Sequence, residues 1–439
     1  MLKISEQEIS FTMHFVEAVE KLYYFRDHYF EHHSTDHADK KIEDLTIELN
    51  KTLKLFDTEN EANSVGKVTE HDFLRAKAMN VLPEFKPEVL EILTKLVKFH
   101  PKHVEAWNEL GTCFWKKGDI KAAKSCFESA LREEKNVESL RNLSMVLRQI
   151  GDTPEEKIAN IHQSLEKAKE AVNLNIQDGN SWYILGNAYL SLYFSTDQNP
   201  NMIKQCLSSY SQAYADESVR CNPYLHYNWA VALKYDENYR LALENLENAL
   251  KHDPLWNEPK EQLEILVRLL ENIQLMVTKK GKLKPRKIKD LLNSLKKEYE
   301  NSDSKITYIN SKGQSVILHR SKFSELQVGL NVDKVLIGKV VCQVYCAESP
   351  SFTFCMIDED ENCFAVNVYN MLQGKGVIIG DTVAIHQPLV QHFNFSFKDK
   401  VFTFSTVRVN SPLQLEVNKK KLGRDVLAAP RLSVTLKND

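Results

Sequence analysis

The sequence predicts an α+β multidomain chain: an all-α helical array followed by a small all-β domain. Three observations carry this reading. Composition changes near residue 300. Before it, Pro and Gly are sparse, and Leu, Glu, Lys and Ala recur at helical spacing. After it, β-branched and aromatic residues alternate between Gly, Pro, Asn and Asp, as strands and turns require. Within the first part, one pattern of large and small residues returns in register, and a basic run then separates the two parts.

The N-terminal segment, residues 1–60, is helical and amphipathic and is expected to start the array as a helix pair. His28, His32, His33 and His37 fall in it at spacings that place pairs on one helix face. No cysteine or ordered carboxylate set accompanies them in the sequence, so a surface helix end is expected there and no metal.

Residues 61–277 carry the repeats. Trp107, Leu110, Gly111 and Phe114 are followed by Ala123, Phe127 and Ala130. This fits the tetratricopeptide pattern, Trp-x-x-Leu-Gly-x-x-Tyr then Ala-x-x-x-Phe, in a unit of about 34 residues. The small residue at Gly111 lets the second helix come close, and Ala123 and Ala130 do so from the other side. Trp182, Leu185, Gly186 and Tyr189, answered by Cys206, Tyr210 and Ala213, form a second copy. Leu143, Ser144 and Leu147 with Ser164, Ala168 and Ala171 form a weaker one. Val89, Leu93, Leu96 and Pro101 mark an earlier second helix, and Ala242, Leu246, Ala249 and Pro254 a later one. Spacings beyond one unit match inserts around Gly151–Ala159 and Phe194–Met202. Glu258–Met276 is expected to cap the last apolar face. The first part is thus a tetratricopeptide-repeat superhelix.

A basic linker or helix, residues 278–305, follows. Lys279, Lys280, Lys282, Lys284, Arg286, Lys287 and Lys289 stand together with no acid among them. Such a run can neutralise phosphates. A nuclear-localisation signal and a plain solvated linker are the competing readings. Residues 306–412 read as strands over Val335–Tyr345, Phe352–Ile357, Cys363–Val368, Thr382–Leu389 and Phe395–Val409, the last a hairpin at Lys398-Asp399-Lys400. Five strands with a Gly380-Asp381 turn before the fourth suit an OB-like barrel, and the strand count alone also allows a sandwich. Phe352, Phe354, Tyr369, Phe393, Phe395 and Phe397 could stack bases, but same-parity aromatics on one face more often build the core, so protein binding ranks above nucleic acid. Residues 413–439 read as a disordered tail.

Bulk properties exclude several classes. The net charge of −3 over 439 residues does not describe a polyanion binder, so any nucleic-acid contact must be local. No apolar run approaches the roughly 20 residues needed to span a bilayer, so no membrane is expected. The N-terminus lacks a secretory core. The eight cysteines are scattered, which suits free thiols in the cytoplasm or nucleus. There is no Walker loop, no Gly-x-Ser-x-Gly elbow and no metal-ligand cluster, so a non-catalytic, monomeric binding protein without cofactors is expected.

First-helix side chains line the inner face of such an array. Counting from the anchors gives Glu105, Asn108, Thr112 and Trp115, then Glu138, Arg141, Met145 and Arg148. Asn180, Tyr183, Asn187 and Leu190 follow, then Tyr224, Tyr227, Val231 and Lys234, and finally Glu258. Amides can bond a peptide backbone and arginine can fork onto a carboxylate.

The stretch Ser181–Thr196, together with Asn142–Gln149 and Ile337–Val341, closely resembles the tetratricopeptide repeat protein 5 family. So does the order of repeats, basic linker and barrel. That resemblance implies recognition of nascent α- and β-tubulin at the ribosome, leading through an mRNA-decay adaptor to loss of tubulin mRNA. It also implies a nuclear role as a stress-response scaffold for a histone acetyltransferase and transcription cofactors. The tubulin N-terminus begins Met-Arg-Glu. Arg148 is expected to take its Glu and Glu258 its Arg, with Arg141, Met145, Asn108, Tyr183, Asn187, Tyr224, Tyr227 and Lys234 lining the groove. The family carries Asp at the position of Tyr224, and that departure weakens the acidic pocket. Ribosomal RNA is the implied partner of Lys279, Lys280, Lys282, Lys284, Arg286 and Lys287.

Overall fold

A computed structural model describes residues 6–58, 65–196, 198–299, 305–309, 315–346 and 348–429. Two compact units make up the chain. Among the described residues, one holds those from 6 to 232 and from 245 to 259, the other those from 233 to 244 and from 260 to 429.

In the first unit, helix starts follow from side chains that cap exposed amides. Asp119, Asn136, Asp178 and Asn199 each accept a backbone N–H from the turn they open, and Thr153 with Glu156 closes a reciprocal capping box. The chain begins with α1 (Glu6–Asp27), the single turn α2 (Tyr29–His32) and α3 (Lys41–Thr58). Helix pairs follow: α4 (Val65–Met79) with α5 (Pro87–Phe99), α6 (Val104–Lys117) with α7 (Ile120–Glu133), and α8 (Val137–Leu147) with α9 (Pro154–Leu174). Then come α10 (Gly179–Ser195) with α11 (Pro200–Ala215), followed by α12 (Pro223–Tyr235) and α13 (Tyr239–His252), of which residues 233–244 fall in the second unit. The expected starting pair is α1 and α3: Phe15, Val19, Leu45, Leu49 and Phe56 share one core with α4, α5 and α6.

Repeat packing follows the small-residue positions. A Cβ added to Gly111 would lie 2.4 Å from the Phe127 ring, and one added to Gly186 would lie 2.4 Å from the Tyr210 ring. Neither site has room for even a methyl group. The repeated tryptophans share a second task. Trp107 Nε1 donates to the carbonyl of Pro101 at 2.7 Å, and Trp182 Nε1 to that of Ile176 at 2.9 Å. Each indole closes the loop that leads into its own helix.

The helix α14 (Asn257–Thr278) has its residues from 260 onward in the second unit. There it joins α15 (Pro285–Tyr299) and the strands β1 (Lys305–Ile309), β2 (Ser315–Ser321), β3 (Gly329–Leu330), β4 (Lys334–Val344), β5 (Phe352–Ile357) and β6 (Cys363–Val368). The sheet continues with β7 (Thr382–His386), β8 (Leu389–Phe397), β9 (Lys400–Val409), β10 (Leu415–Val417) and β11 (Lys420–Lys421). Their order is β11-β10-β7-β4-β5-β6-β9-β8-β3, with β2 joining β1 to β4. β2–β4 and β6–β9 are parallel pairs.

Strand β4 is buried on both faces. Leu336 and Val340 enter the barrel-side core with Phe354, Phe364 and Val407, whereas Val335 and Ile337 pack toward Leu295 of α15. Lys339 points to the helix side, where its ammonium meets Glu298 and the Thr382 hydroxyl. In the same unit, Glu237 is 2% exposed and lies beside Arg408, 3.4 Å from its Nη1, while Arg408 also donates to the Tyr235 carbonyl and covers the Tyr369 ring.

The expected disordered tail is corrected over residues 413–429, which begin in a short helical turn, Pro412–Gln414. β10 pairs with β7, Leu415 is fully buried in the barrel core, and a bridge joins Leu427 to Met371. Residues 430–439 lie outside the described residues.

Candidate peptide-binding groove

The polar residues predicted to line the groove bond first to one another. Neighbouring first helices lie so close that a short polar side chain reaches the next helix. Asn80 Nδ2 donates to Glu109 Oε2 at 2.8 Å, and Ser139 Oγ on α8 donates to Asn108 Oδ1 on α6 at 2.7 Å. Arg141 Nη1 grips both oxygens of Asp178, at 2.8 and 3.0 Å, and Asp178 also caps α10 through the Ser181 amide. Asn228 Nδ2 on α12 donates to Asn187 Oδ1 at 3.1 Å and to the Tyr183 hydroxyl at 3.3 Å, and Tyr210 donates to the same Asn187 oxygen. The Tyr227 hydroxyl donates to Glu258 Oε1 at 2.9 Å. These contacts form a ladder with a rung between each successive pair of first helices. The expectation gave Asn108, Arg141, Tyr183, Asn187 and Tyr227 to a peptide; the structure gives them partners in the fold.

Arg148 is not a solvated surface arginine, being 6% exposed. The middle repeat explains why. Ala168 stands where two other repeats carry Phe127 and Tyr210, and Ser144 stands where those two carry Gly111 and Gly186. The arginine turns into that helix pair. Its Nη1 donates to the Ser144 carbonyl at 3.3 Å and to the hydroxyls of Ser144 and Ser164 at 3.1 Å each. Met145 is half-buried on the same helix.

A cavity of about 740 Å³ opens in the first unit. Asn180 and Tyr224 are the predicted residues that reach it. The rest of its lining was not anticipated: Arg26, Asp27, Phe30 and Lys41 from the N-terminal helices, Lys116 from α6, and Asp253 and Leu255 after α13. No local pattern distinguishes these positions, because the fold brings together residues far apart in sequence. Burial pushes the Lys116 ammonium down to about 8, although Glu109 opposes it, and Lys116 Nζ donates to Asn80 Oδ1 and the Leu82 carbonyl. Burial raises the Asp253 carboxyl and lowers the Lys41 ammonium, and each group partly offsets the shift of the other. At one side Tyr224 and Tyr227 pack on Trp256, with ring centroids 5.0 and 4.7 Å away, and the Trp256 indole points at Glu258 Oε2. The lining thus offers both charge signs beside an aromatic shelf.

In the second unit, Lys234 donates to Gln262 at 2.9 Å. Lys280 pairs with Glu361 at 2.8 Å. Lys279, Lys282, Lys284, Arg286 and Lys287 are exposed. Of the β-domain aromatics, Phe354, Tyr369 and Phe397 are buried, Phe352 and Phe395 are half-buried, and Phe393 packs on Tyr239. No helix among the described residues is long and apolar enough to cross a membrane.

The sequence is similar to those of known proteins. Residues 317–431 match the family described as the tetratricopeptide repeat protein 5 OB fold domain. The chain is 43% identical to tetratricopeptide repeat protein 5 of Bos taurus over 432 residues, covering 98% of each chain. It is 44% identical to that of Homo sapiens over 409 residues, covering 93% of this chain and 92% of the human one. Among solved structures, YrrB, titled a TPR protein with an unusual peptide-binding site, aligns at 20% identity with a TM-score of 0.32, over 49% of this chain and 97% of its own.

Proposed function

Because the chain belongs to the tetratricopeptide repeat protein 5 family, we propose that its groove takes the N-terminal peptide of nascent tubulin at the ribosome and so triggers decay of tubulin mRNA. The broader role follows from family and fold: the protein is a repeat-based, protein-binding adaptor.

The observation that carries the finer reading is the cavity's paired charge. A peptide arginine entering it meets Asp27 and Asp253, with Glu258 held nearby by Tyr227 and Trp256. Asp253 supplies the carboxylate that Tyr224 lacks; its charge adds to burial in raising the Tyr224 phenol. The peptide glutamate goes to Arg148, whose plane the Ser144 and Ser164 hydroxyls fix. An arginine held this way loses little freedom on binding, and a fork onto a carboxylate is among the stronger polar contacts. The exposed cations from Lys279 to Lys287 support contact with ribosomal RNA, which would weaken steeply with salt.

The test is crosslinking of purified protein to ribosomes stalled while making tubulin, against ribosomes carrying an unrelated chain. Capture is expected for tubulin alone. Arg148→Ala should abolish it and Arg148→Lys should weaken it, with circular dichroism unchanged in both. Equal capture of both nascent chains, or normal capture by folded Arg148→Ala, would overturn the reading.

A further inference from the structure

In the sequence Glu31 stands three residues from His28, but no sulfur is near either. Folding supplies the sulfur. His28 caps α2, Glu31 follows one turn later, and Cys221 arrives from 190 residues further along the chain, in the segment before α12. His28 Nδ1 lies 3.1 Å from Glu31 Oε1, and that same oxygen lies 2.6 Å from Cys221 Sγ. The three atoms all lie within 4.8 Å of one another.

Two details separate this cluster from an ordinary surface contact. His28 Nδ1 is shut off from solvent, yet among the described residues it makes no hydrogen bond. Its carboxylate neighbour is near but poorly aligned to accept a proton. The ring's plane is also fixed, since Tyr24 stacks on it with centroids 4.2 Å apart and 20° between planes. A buried imidazole nitrogen, a carboxylate oxygen and a thiol sulfur therefore converge on one point, with the first lacking the bond that burial requires.

We propose that His28, Glu31 and Cys221 bind a zinc ion, with water completing the tetrahedron. The donor set selects the metal. One nitrogen, one oxygen and one sulfur suit a borderline cation, whereas calcium and magnesium want oxygen alone. Zinc bonds of about 2.0–2.3 Å in a tetrahedron set ligand atoms roughly 3.3–3.6 Å apart, so Sγ and Oε1 must part by about 1 Å as the ion enters. Binding exchanges the Cys221 S–H bond for an S–Zn bond and releases the proton to water. Without the ion, burial and the Glu31 hydrogen bond push this thiol up to about 11, so it is protonated at neutral pH. The ion would tie α2 to the segment before α12, beside the cavity that Phe30 and Cys221 both line.

The test uses the full chain, stripped with a chelator and dialysed against zinc, then against cobalt. About one zinc per chain is expected by mass spectrometry, with a thiolate-to-cobalt charge-transfer band in the near ultraviolet. His28→Ala and Cys221→Ser should lose stoichiometric zinc, and Cys221→Ser should lose the band. Cys355→Ser is the control, because Cys355 touches Cys342 and Cys363 and could form a rival thiol site. If His28→Ala unfolds, the near-isosteric Glu31→Gln and the wild-type cobalt spectrum decide. Absence of stoichiometric zinc, retention of it in Cys221→Ser, or its loss in Cys355→Ser would overturn the assignment. The readout is bound metal, so failure here leaves the tubulin reading untouched, and the reverse holds.

Discussion

Asp178 serves two elements at once, and substitution can separate them. Its carboxylate caps α10 by accepting the Ser181 amide at 3.0 Å and the Ser181 hydroxyl, and it also holds Arg141 through two oxygens. Asp178→Ala removes both functions. Loss of an N-cap costs about 1 kcal/mol. The ion pair is mostly shielded, with side chains 22% and 15% exposed, so it keeps more than a surface pair. A charged hydrogen bond nets about 1.5–3 kcal/mol, reduced here to about 1–1.5 because Arg141 retains some water. The alanine variant should therefore lose about 2–2.5 kcal/mol. Asp178→Asn keeps the cap and loses the charge, and should lose about 1 kcal/mol. Urea denaturation measures both totals, and hydrogen exchange at the first amides of α10 should rise in the alanine variant alone. If asparagine proves as damaging as alanine, or alanine costs under about 0.5 kcal/mol, the two-function account fails.

Gly186→Ala places a methyl group 2.4 Å from the Tyr210 ring and should cost about 1–3 kcal/mol by calorimetry; an unchanged melt would mean that the ring yields freely. Arg408→Met leaves Glu237 buried without its cation and should cost about 3–5 kcal/mol at neutral pH. Glu237→Gln in the same chain should recover much of that. Burial already raises the Glu237 carboxyl against the pull of Arg408, so the folded variant holds a proton that the unfolded chain has shed. Its deficit should then shrink as pH falls, and a pH-independent deficit would contradict this. His252, stacked on His226, is pushed from the usual 6.5 to about 4, first by burial and then by His226. Between those values the unfolded chain binds the extra proton, so stability falls as pH drops through the window. Its half-exposed ring reduces the effect to about 1–2 kcal/mol, and His252→Asn should flatten that part of the melting-temperature profile.

Periodicity made some of this structure readable and left other parts hidden. The Gly111–Phe127 and Gly186–Tyr210 contacts were legible because a small residue and a ring at fixed spacing leave only one way to pack. Strands Phe352–Ile357 and Cys363–Val368 were legible because apolar runs between turn residues have one plausible length. β10 was hidden because three residues carry no alternation; its pairing with β7 is a long-range choice. The inward turn of Arg148 depends on what Ala168 lacks, across a helix pair whose spacing the insert near Gly151 blurs. The groove's acids and cations came from Asp27, Lys41 and Asp253, which no local rule connects.

The ladder along the first helices also says where this chain can tolerate changes in length. Hydrogen bonds between neighbouring helices fail with a slip of a single residue, whereas apolar packing can slide a little. Both inserts, near Gly151 and near Asn199, fall between the two helices of one repeat, so neither lies on a stretch that carries rungs. Extra sequence there would leave the pitch of the inner wall intact. Those two loops are accordingly the natural places to graft a reporter peptide, and the short turns entering α8 and α10 are the places to leave alone.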